Sequence, residues 1–154
     1  MLSIPTEETI SVEWFNACFA RAGLTGTVTG FDAERVGTGQ IGKCVRYTLR
    51  FSDQGELPAS VIGKFPSDDE NSRQTGVVLL NFLKEVRFYQ ELQHRVVIKT
   101  PRCYFAEIID QGPEFFLLLQ DLAPAQQGDQ LAGCSPQVAK AALCLLYTSD
   151  AADE

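Results

Sequence analysis

The sequence predicts an α+β fold in which a five-stranded antiparallel sheet has one helix inserted after its third strand. Two segments, at 11–23 and 75–95, space their apolar residues as helices do. Between them, residues 44–51 alternate apolar and polar side chains with the period of a strand. The composition, with 154 residues, 45% hydrophobic and 21% charged, is that of a globular protein and supports an ordered core.

The first four elements follow from capping residues and periodicity. Ser11 can cap a first helix that Gly23 ends, and a first strand is predicted at 27–36. The second strand places four residues on one face: Val45, Tyr47, Leu49 and Phe51. A turn at 52–56 leads to a third strand at 59–65.

The second half of the chain continues the α+β pattern. A polar surface loop is predicted at 66–74 and a long helix at 75–95. Two further strands are predicted at 102–109 and 114–120, followed by a polar connector at 123–133. Ser135 and Pro136 form a good N-cap and first-turn pair for a last helix, predicted to reach Leu143.

Charge and composition exclude several classes of protein. The net charge of −7 argues against a nucleic-acid partner, because such proteins usually carry a basic face. The N-terminus lacks the features of a signal peptide and the apolar block Phe115–Leu119 is too short for a bilayer, so we expect no membrane partner. Five scattered cysteines and one histidine make a zinc site improbable. We expect buried free thiols in a cytoplasmic protein.

Residues 37–42 form a G-x-G-x-x-G motif in which Gly37, Thr38, Gly39, Gln40 and Gly42 are candidate phosphate-binding residues. Glycines let a loop bring backbone N–H groups close to phosphate oxygens. In a dinucleotide-binding fold this motif opens a helix, but here an alternating strand follows it. The strand–loop–strand context favours the loop that covers phosphates in kinases. A glycine-rich hairpin with a purely structural role is the alternative.

Lys64 and Glu85 are predicted to form an ion pair. Lys64 ends an apolar strand, where it is either a snorkelling edge residue or the lysine with which kinases bind the α- and β-phosphates. In the long helix, Glu85 shares a face with apolar and aromatic side chains: Val78, Phe82, Tyr89 and Leu92. A carboxylate within a buried stripe needs a cation, and kinases pair these two groups. Alternatively, Glu85 forms a helix-surface pair with Arg87 or Lys84.

The fourth candidate feature is the polar segment that follows the apolar strand at 115–119. Kinases hydrogen-bond adenine through backbone groups where such a strand ends, which makes Gln120, Asp121 and Leu122 candidate nucleotide-binding residues. A central strand that ends in an ordinary loop is equally consistent with these residues alone. The order and spacing of the four features favour the adenine-binding interpretation.

The four features, together with the phrases at 85–89, 100–104 and 127–135, resemble the aminoglycoside phosphotransferase superfamily, in particular its ecdysteroid kinase-like and choline kinase-like branch. The resemblance covers about 12–143 and implies a protein-kinase-like N-lobe at 1–122 that binds ATP. It also implies Mg²⁺ and a small-molecule hydroxyl as acceptor. Gly37, Gly39 and Gly42 would then cover the phosphates that Lys64 binds. Gln120 departs from the glutamate that is more common in the family.

The catalytic residues implied by the family have no match in this sequence. Such enzymes need an aspartate that accepts the hydroxyl proton and further residues that bind metal, but no His-x-Asp motif is present. We therefore expect a hinge and the start of a truncated C-lobe at 123–143. Residues 144–154 resemble a translated adapter tail, so we expect a non-native tail there. The expected function is that of a truncated, inactive ATP-dependent phosphotransferase; the alternative is a non-catalytic nucleotide-binding or regulatory domain.

Overall fold

The computed structural model describes residues 2–37, 39, 41–125 and 131–150, and it shows the predicted α+β architecture with a five-stranded antiparallel sheet. The elements up to the third strand are α1 (Val12–Arg21), β1 (Thr27–Val36), β2 (Gly42–Asp53) and β3 (Ser60–Pro66). The elements after it are α2 (Glu70–Val78), α3 (Asn81–Arg87), β4 (Cys103–Ile108), β5 (Phe115–Gln120) and α4 (Pro136–Asp150).

The strands lie in the order β1-β2-β3-β5-β4, and every neighbouring pair is antiparallel. The last strand in the chain, β5, is therefore internal to the sheet, where it pairs with both β3 and β4. All but one of its residues are buried, which explains its unbroken apolar sequence. The residues that follow β5 consequently emerge next to the start of β3.

Each face of the sheet carries its own hydrophobic cluster. Phe116 and Leu118 of β5 pack into the cluster covered by α1, which also includes Val45 and Tyr47 of β2. The alternate β5 residues Phe115, Leu117 and Leu119 pack on the other face with two side chains of α3, Phe82 and Val86. Since successive strand residues point to opposite faces, α1 and α3 cover opposite sides of one sheet.

Helix α1 begins and ends as its sequence predicts. The Ser11 side chain accepts a hydrogen bond from the Trp14 N–H, which caps the first turn. Gly23, with φ of 74°, follows the last turn in the left-handed conformation that glycine adopts without strain. The helix buries four side chains against the sheet: Trp14, Phe15, Cys18 and Phe19.

Two predictions for the segment after β3 are wrong. The predicted surface loop at 66–74 is helical from Glu70 onward, because the Asp69 side chain caps the Ser72 N–H and starts α2. The predicted continuous helix at 75–95 is broken at Leu80, which has φ of 55°. After α3 the chain continues as a π-helical turn, Phe88–Leu92, and a 3-10 turn, Gln93–Arg95.

The break and the π-helical turn also change which side chains face the sheet. Val78 is 76% exposed and Leu92 is 48% exposed, so both are outside the buried stripe that was predicted to contain them. Phe82 is buried as predicted, and the fully buried Val86 takes the next place on the same face. A straight helix would have kept all of these side chains on one face. The left-handed residue Leu80 and the π-helical turn Phe88–Leu92 instead turn the side chains before and after α3 away from that face.

The last helix is longer than predicted and little covered. Ser135 accepts a hydrogen bond from the Val138 N–H as the predicted N-cap, and the helix continues past Leu143 to Asp150. Every side chain from 136 to 144 is exposed except that of Ala139. None of the helices in the described parts of the chain is both long and apolar enough to cross a bilayer.

The prediction that all five cysteines are buried is wrong for part of the set. Cys18 is buried beneath α1, and burial raises the pKa of its thiol to about 12. Cys44 and Cys103 are half-buried, whereas Cys134 and Cys144 are exposed because the segment around α4 has little sheet to pack against.

Candidate functional site

The glycine motif forms the tip of a hairpin between β1 and β2, as predicted. The two strands remain paired up to Val36 and Cys44, and β2 begins at Gly42. A strand at this point is not the helix that a dinucleotide-binding fold requires. Gly37 has φ of 76°, which glycine adopts without strain. Thr38 and Gln40, also predicted to bind phosphate, lie outside the described residues.

Two further glycines of the motif are required by close backbone packing. A Cβ on Gly39 would lie 2.6 Å from the Gly42 carbonyl oxygen, inside any normal contact distance. A Cβ on Gly42 would lie 3.1 Å from the Phe65 carbonyl oxygen and 3.4 Å from Cε of Lys64. Gly42, at the base of the glycine hairpin (residues 37–42, of which 38 and 40 are not described), therefore lies beside the side chain of Lys64.

The predicted ion pair between Lys64 and Glu85 is confirmed. The Lys64 Nζ lies 2.6 Å from both carboxylate oxygens of Glu85. The alternative partners are engaged elsewhere: Arg87 pairs with Glu91 at 2.5 Å and Lys84 donates to the Leu79 carbonyl. Glu85 therefore pairs with Lys64 and not with Arg87 or Lys84 on the helix surface.

The ion pair is accessible from solvent. The side chains of Lys64 and Glu85 are 27% and 31% exposed, so the pair is neither buried nor fully hydrated. An ammonium group has three N–H donors, and the two carboxylate oxygens occupy at most two of them. At least one donor of Lys64 can therefore meet an anion placed beside the glycine hairpin.

An apolar floor extends from Lys64 towards the end of β5. Cys44 of β2 and Leu117 of β5 lie opposite Lys64 in the sheet register, and Ile62 lies opposite Leu119. These side chains share one face of the sheet, and Cys44 and Ile62 remain half-buried. Burial raises the pKa of the Cys44 thiol. The part of the floor formed by Cys44, Ile62, Leu117 and Leu119 is therefore apolar, and the charged Arg46 borders it beside Ile62.

The segment Gln120–Leu122, which we call the hinge, closes the far end of this floor. Gln120 is bound to β4, since its N–H donates to the Arg102 carbonyl at 2.8 Å and its side chain accepts from the Arg102 N–H. Leu122 is half exposed, and its N–H has no hydrogen-bond partner within the described parts of the chain. Among the described residues, the Leu122 N–H is thus a backbone donor without an acceptor, just after the end of β5.

The predicted role of Asp121 concerns its backbone, and the structure shows where its side chain lies. Its carboxylate points back to the sheet, where it accepts hydrogen bonds from Arg46 of β2 and from Ser60 of β3. Arg46 and Ser60 were not predicted as site residues. Strand alternation assigns Arg46 to the face of Cys44, but only the register shows that its side chain reaches the hinge.

No family model matches the chain, and no curated protein matches it. The site is thus defined by its geometry: a glycine hairpin, an accessible Lys64–Glu85 pair, an apolar floor and a hinge. Gly42, the ion pair, the floor and the Asp121 side chain lie on the face of the sheet that carries α3.

A separate cavity of about 850 Å³ lies between the N-terminal segment 2–8 and residues 65–68. It includes Lys43, whose Nζ lies 2.6 Å from both a Glu7 and an Asp68 carboxylate oxygen. Lys43 lies opposite Phe65 in the register, on the face covered by α1. This cavity therefore shares no lining residue with the hairpin, the ion pair or the hinge.

Proposed function

We propose that this chain is the nucleotide-binding lobe of an ATP-dependent phosphotransferase of protein-kinase-like fold, which acts on a hydroxyl of a small molecule. The observation that carries the proposal is the contact of Lys64 with Glu85 at 2.6 Å, directly beside the glycine hairpin. A lysine oriented by a helix carboxylate next to a glycine-rich hairpin is the arrangement with which kinases hold nucleotide phosphates.

The local charges suit a phosphate even though the chain carries a net charge of −7. Lys64 supplies a cation whose position is fixed by Glu85, so little side-chain entropy is lost when a phosphate binds. Glycine backbone N–H groups can approach the same oxygens because no side chains stand between them. The proposed phosphate site is therefore bounded by Gly37, Gly39, Gly42 and Lys64.

The apolar floor and the hinge suit the base of the nucleotide. A flat aromatic base gains free energy by covering apolar side chains such as Ile62. The Leu122 N–H can donate to a ring nitrogen of adenine, since no described residue accepts from it. The site thus offers contacts to both ends of ATP.

The metal and the transfer step require groups other than those described. Residues 2–37, 39, 41–125 and 131–150 contain no group of three or more acidic, histidine or cysteine side chains that could hold a metal ion. Because the sequence has no His-x-Asp motif, we expect the chain by itself to bind ATP without transferring phosphate.

The absence of that motif from the sequence also keeps a second candidate open, a non-catalytic nucleotide-binding or regulatory domain. The two candidates share the binding site and differ in what accompanies it. A reading frame that continues into a His-x-Asp motif and a metal-binding aspartate would favour the phosphotransferase, and one without them would favour the regulatory domain.

Isothermal titration of the chain with MgATP tests the proposed binding site. We expect Lys64→Ala to weaken binding about tenfold or more, because it removes charge-assisted hydrogen bonds to phosphate. The control is Lys99→Ala, which removes an exposed lysine of the loop before β4 and should leave the affinity unchanged. Absence of ATP binding by the unmodified chain, or equal affinity in Lys64→Ala, would refute the proposal.

A further inference from the structure

Asp121 is the most heavily hydrogen-bonded side chain near the site. Its Oδ2 accepts from Arg46 Nε at 2.6 Å and from Ser60 Oγ at 2.8 Å. Its Oδ1 accepts from Arg46 Nη2 at 3.3 Å and from the Ala123 N–H at 3.0 Å. The side chain is only 5% exposed. These contacts connect β2, β3 and the chain that leaves β5.

The environment of Asp121 keeps it charged. Burial alone would raise the pKa of this carboxyl group, but hydrogen bonds from Arg46, the Ala123 N–H and Ser60 outweigh that effect and lower it. A buried carboxylate with both oxygens engaged is not available to a ligand. The contribution of Asp121 to the site must therefore come through the backbone that it holds.

We propose that Arg46 and Asp121 are positioning residues that fix the hinge backbone so that it faces the base of a bound nucleotide. This inference rests on the proposed function, since it assumes that the hinge contacts a purine. A bidentate guanidinium–carboxylate pair fixes both the position and the plane of the carboxylate, which a single contact cannot do.

The surrounding contacts explain why the hinge needs this anchor. Gln120 is held on one side by β4 through Arg102, whereas Leu122 makes no backbone hydrogen bond to a strand in the described parts of the chain. Asp121 lies between Gln120 and Leu122 in the chain. Its side chain is hydrogen-bonded to Arg46 of β2 and Ser60 of β3, which lie on the other side of β5 from β4. Without Arg46, Asp121 would keep only the single hydrogen bonds from Ser60 and the Ala123 N–H, which do not fix the plane of its carboxylate.

Arg50 provides a matched control for Arg46. It lies four residues further along β2, on the same face of the sheet, and also forms an ion pair, with Asp32 of β1. That pair is mostly exposed and lies at the opposite side of β2 from the hinge. A substitution of Arg50 therefore removes a similar charge from the same strand without touching the proposed anchor.

The test compares two probes, ATP and inorganic tripolyphosphate, by isothermal titration of the full chain. We expect Arg46→Gln and Asp121→Asn to weaken ATP binding about tenfold or more and to change tripolyphosphate binding less than about twofold. Arg46→Lys should not rescue ATP affinity, because lysine cannot bind both carboxylate oxygens in one plane. Lys64→Ala should weaken both ligands, and Arg50→Gln neither.

Hydrogen exchange of the ligand-free chain gives a second measurement that does not depend on nucleotide. The Ala123 amide, which donates to Asp121, should exchange faster in Arg46→Gln than in the unmodified chain, and at the same rate in Arg50→Gln. Equal exchange in Arg46→Gln overturns the positioning role, as does ATP affinity that survives Arg46→Gln or falls together with tripolyphosphate affinity. An unmodified chain that binds no ATP refutes the proposed function itself.

Discussion

At the scale of single residues, Tyr47 combines a fully buried ring with an unsatisfied hydroxyl. Its ring packs edge-on against Phe15 at 5.3 Å and Phe31 at 5.5 Å. Its hydroxyl group is buried and has no hydrogen-bond partner among the residues described. Burial raises the pKa of this phenol, so the group remains neutral in the folded protein.

We expect Tyr47→Phe to leave the free energy of unfolding unchanged or to increase it by about 1 kcal/mol, because it removes an unsatisfied polar atom and keeps the ring contacts. Urea unfolding followed by fluorescence measures the change. Tyr104→Phe, at a half-buried tyrosine stacked edge-on against Phe19, serves as the control. A loss of more than about 1 kcal/mol would show that the Tyr47 hydroxyl does have a partner.

The residues of the site differ in how far local sequence predicts them. Glu85 could be predicted because a carboxylate among apolar helix positions needs a cation whatever the fold. The pair formed by Arg46 and Asp121 could not, because 75 residues separate them and only the order of the strands brings them together. Asp121 was therefore predicted only as part of a segment that binds through its backbone, and its side-chain partners Arg46 and Ser60 were missed.

At the scale of elements, the sequence contains no helix-ending residue at the junction between α2 and α3. Leu80 has a left-handed backbone although neither glycine nor proline marks the position, so periodicity predicted one continuous helix. The strands were predicted more closely because apolar alternation and the turn residues between strands both mark their ends. The bounds predicted for β1 agree with the structure. Those of β3 and β4 differ from it by one residue at both ends, and that of β5 differs by one residue at its start.

The contact between α2 and α3 depends on Gly76. A Cβ at this position would lie 2.3 Å from Cζ of Phe82 and 2.8 Å from Cγ2 of Ile41. Phe82 cannot move away easily, because its ring is buried and stacks on Phe115 at 4.6 Å. The absence of a side chain at Gly76 thus lets α2 pack against both α3 and the glycine hairpin.

We expect Gly76→Ala to destabilise the protein by about 1–3 kcal/mol, because overpacking exceeds the usual gain from alanine in a helix. Urea unfolding of the full chain measures the change. Gln74→Ala, at an exposed position of the same helix, is the control and should have little effect. Unchanged or increased stability in Gly76→Ala would mean that α2 and Phe82 do not pack as described.

At the scale of the whole molecule, the sheet and α4 differ sharply in burial. Residues Phe115–Leu119 of β5 are buried between two clusters, whereas Val138 and Leu143 of α4 are 58% and 56% exposed. The apolar run at 115–119 predicted the buried strand, and the Ser135–Pro136 pair predicted where α4 begins. Sequence analysis could not give the strand order, because pairing between β3 and β5 depends on contacts across more than fifty residues.

We expect amides 139–144 of α4 to exchange with solvent much faster than amides 116–119 of β5, because a helix gains most of its stability from packing its apolar face. Hydrogen exchange followed by mass spectrometry or NMR measures both segments in one sample. Equal protection of the two segments would mean that α4 is held by the rest of the chain, and would favour the self-sufficient nucleotide-binding domain over the phosphotransferase lobe.

The most direct test of the proposed nucleotide site is an amide chemical-shift titration of the full chain with MgATP. The account predicts that the largest shifts occur at Gly37, Gly39 and Gly42, at Lys64 and at Leu122. Absence of shifts, or shifts confined to the separate cavity near residues 2–8, would contradict it.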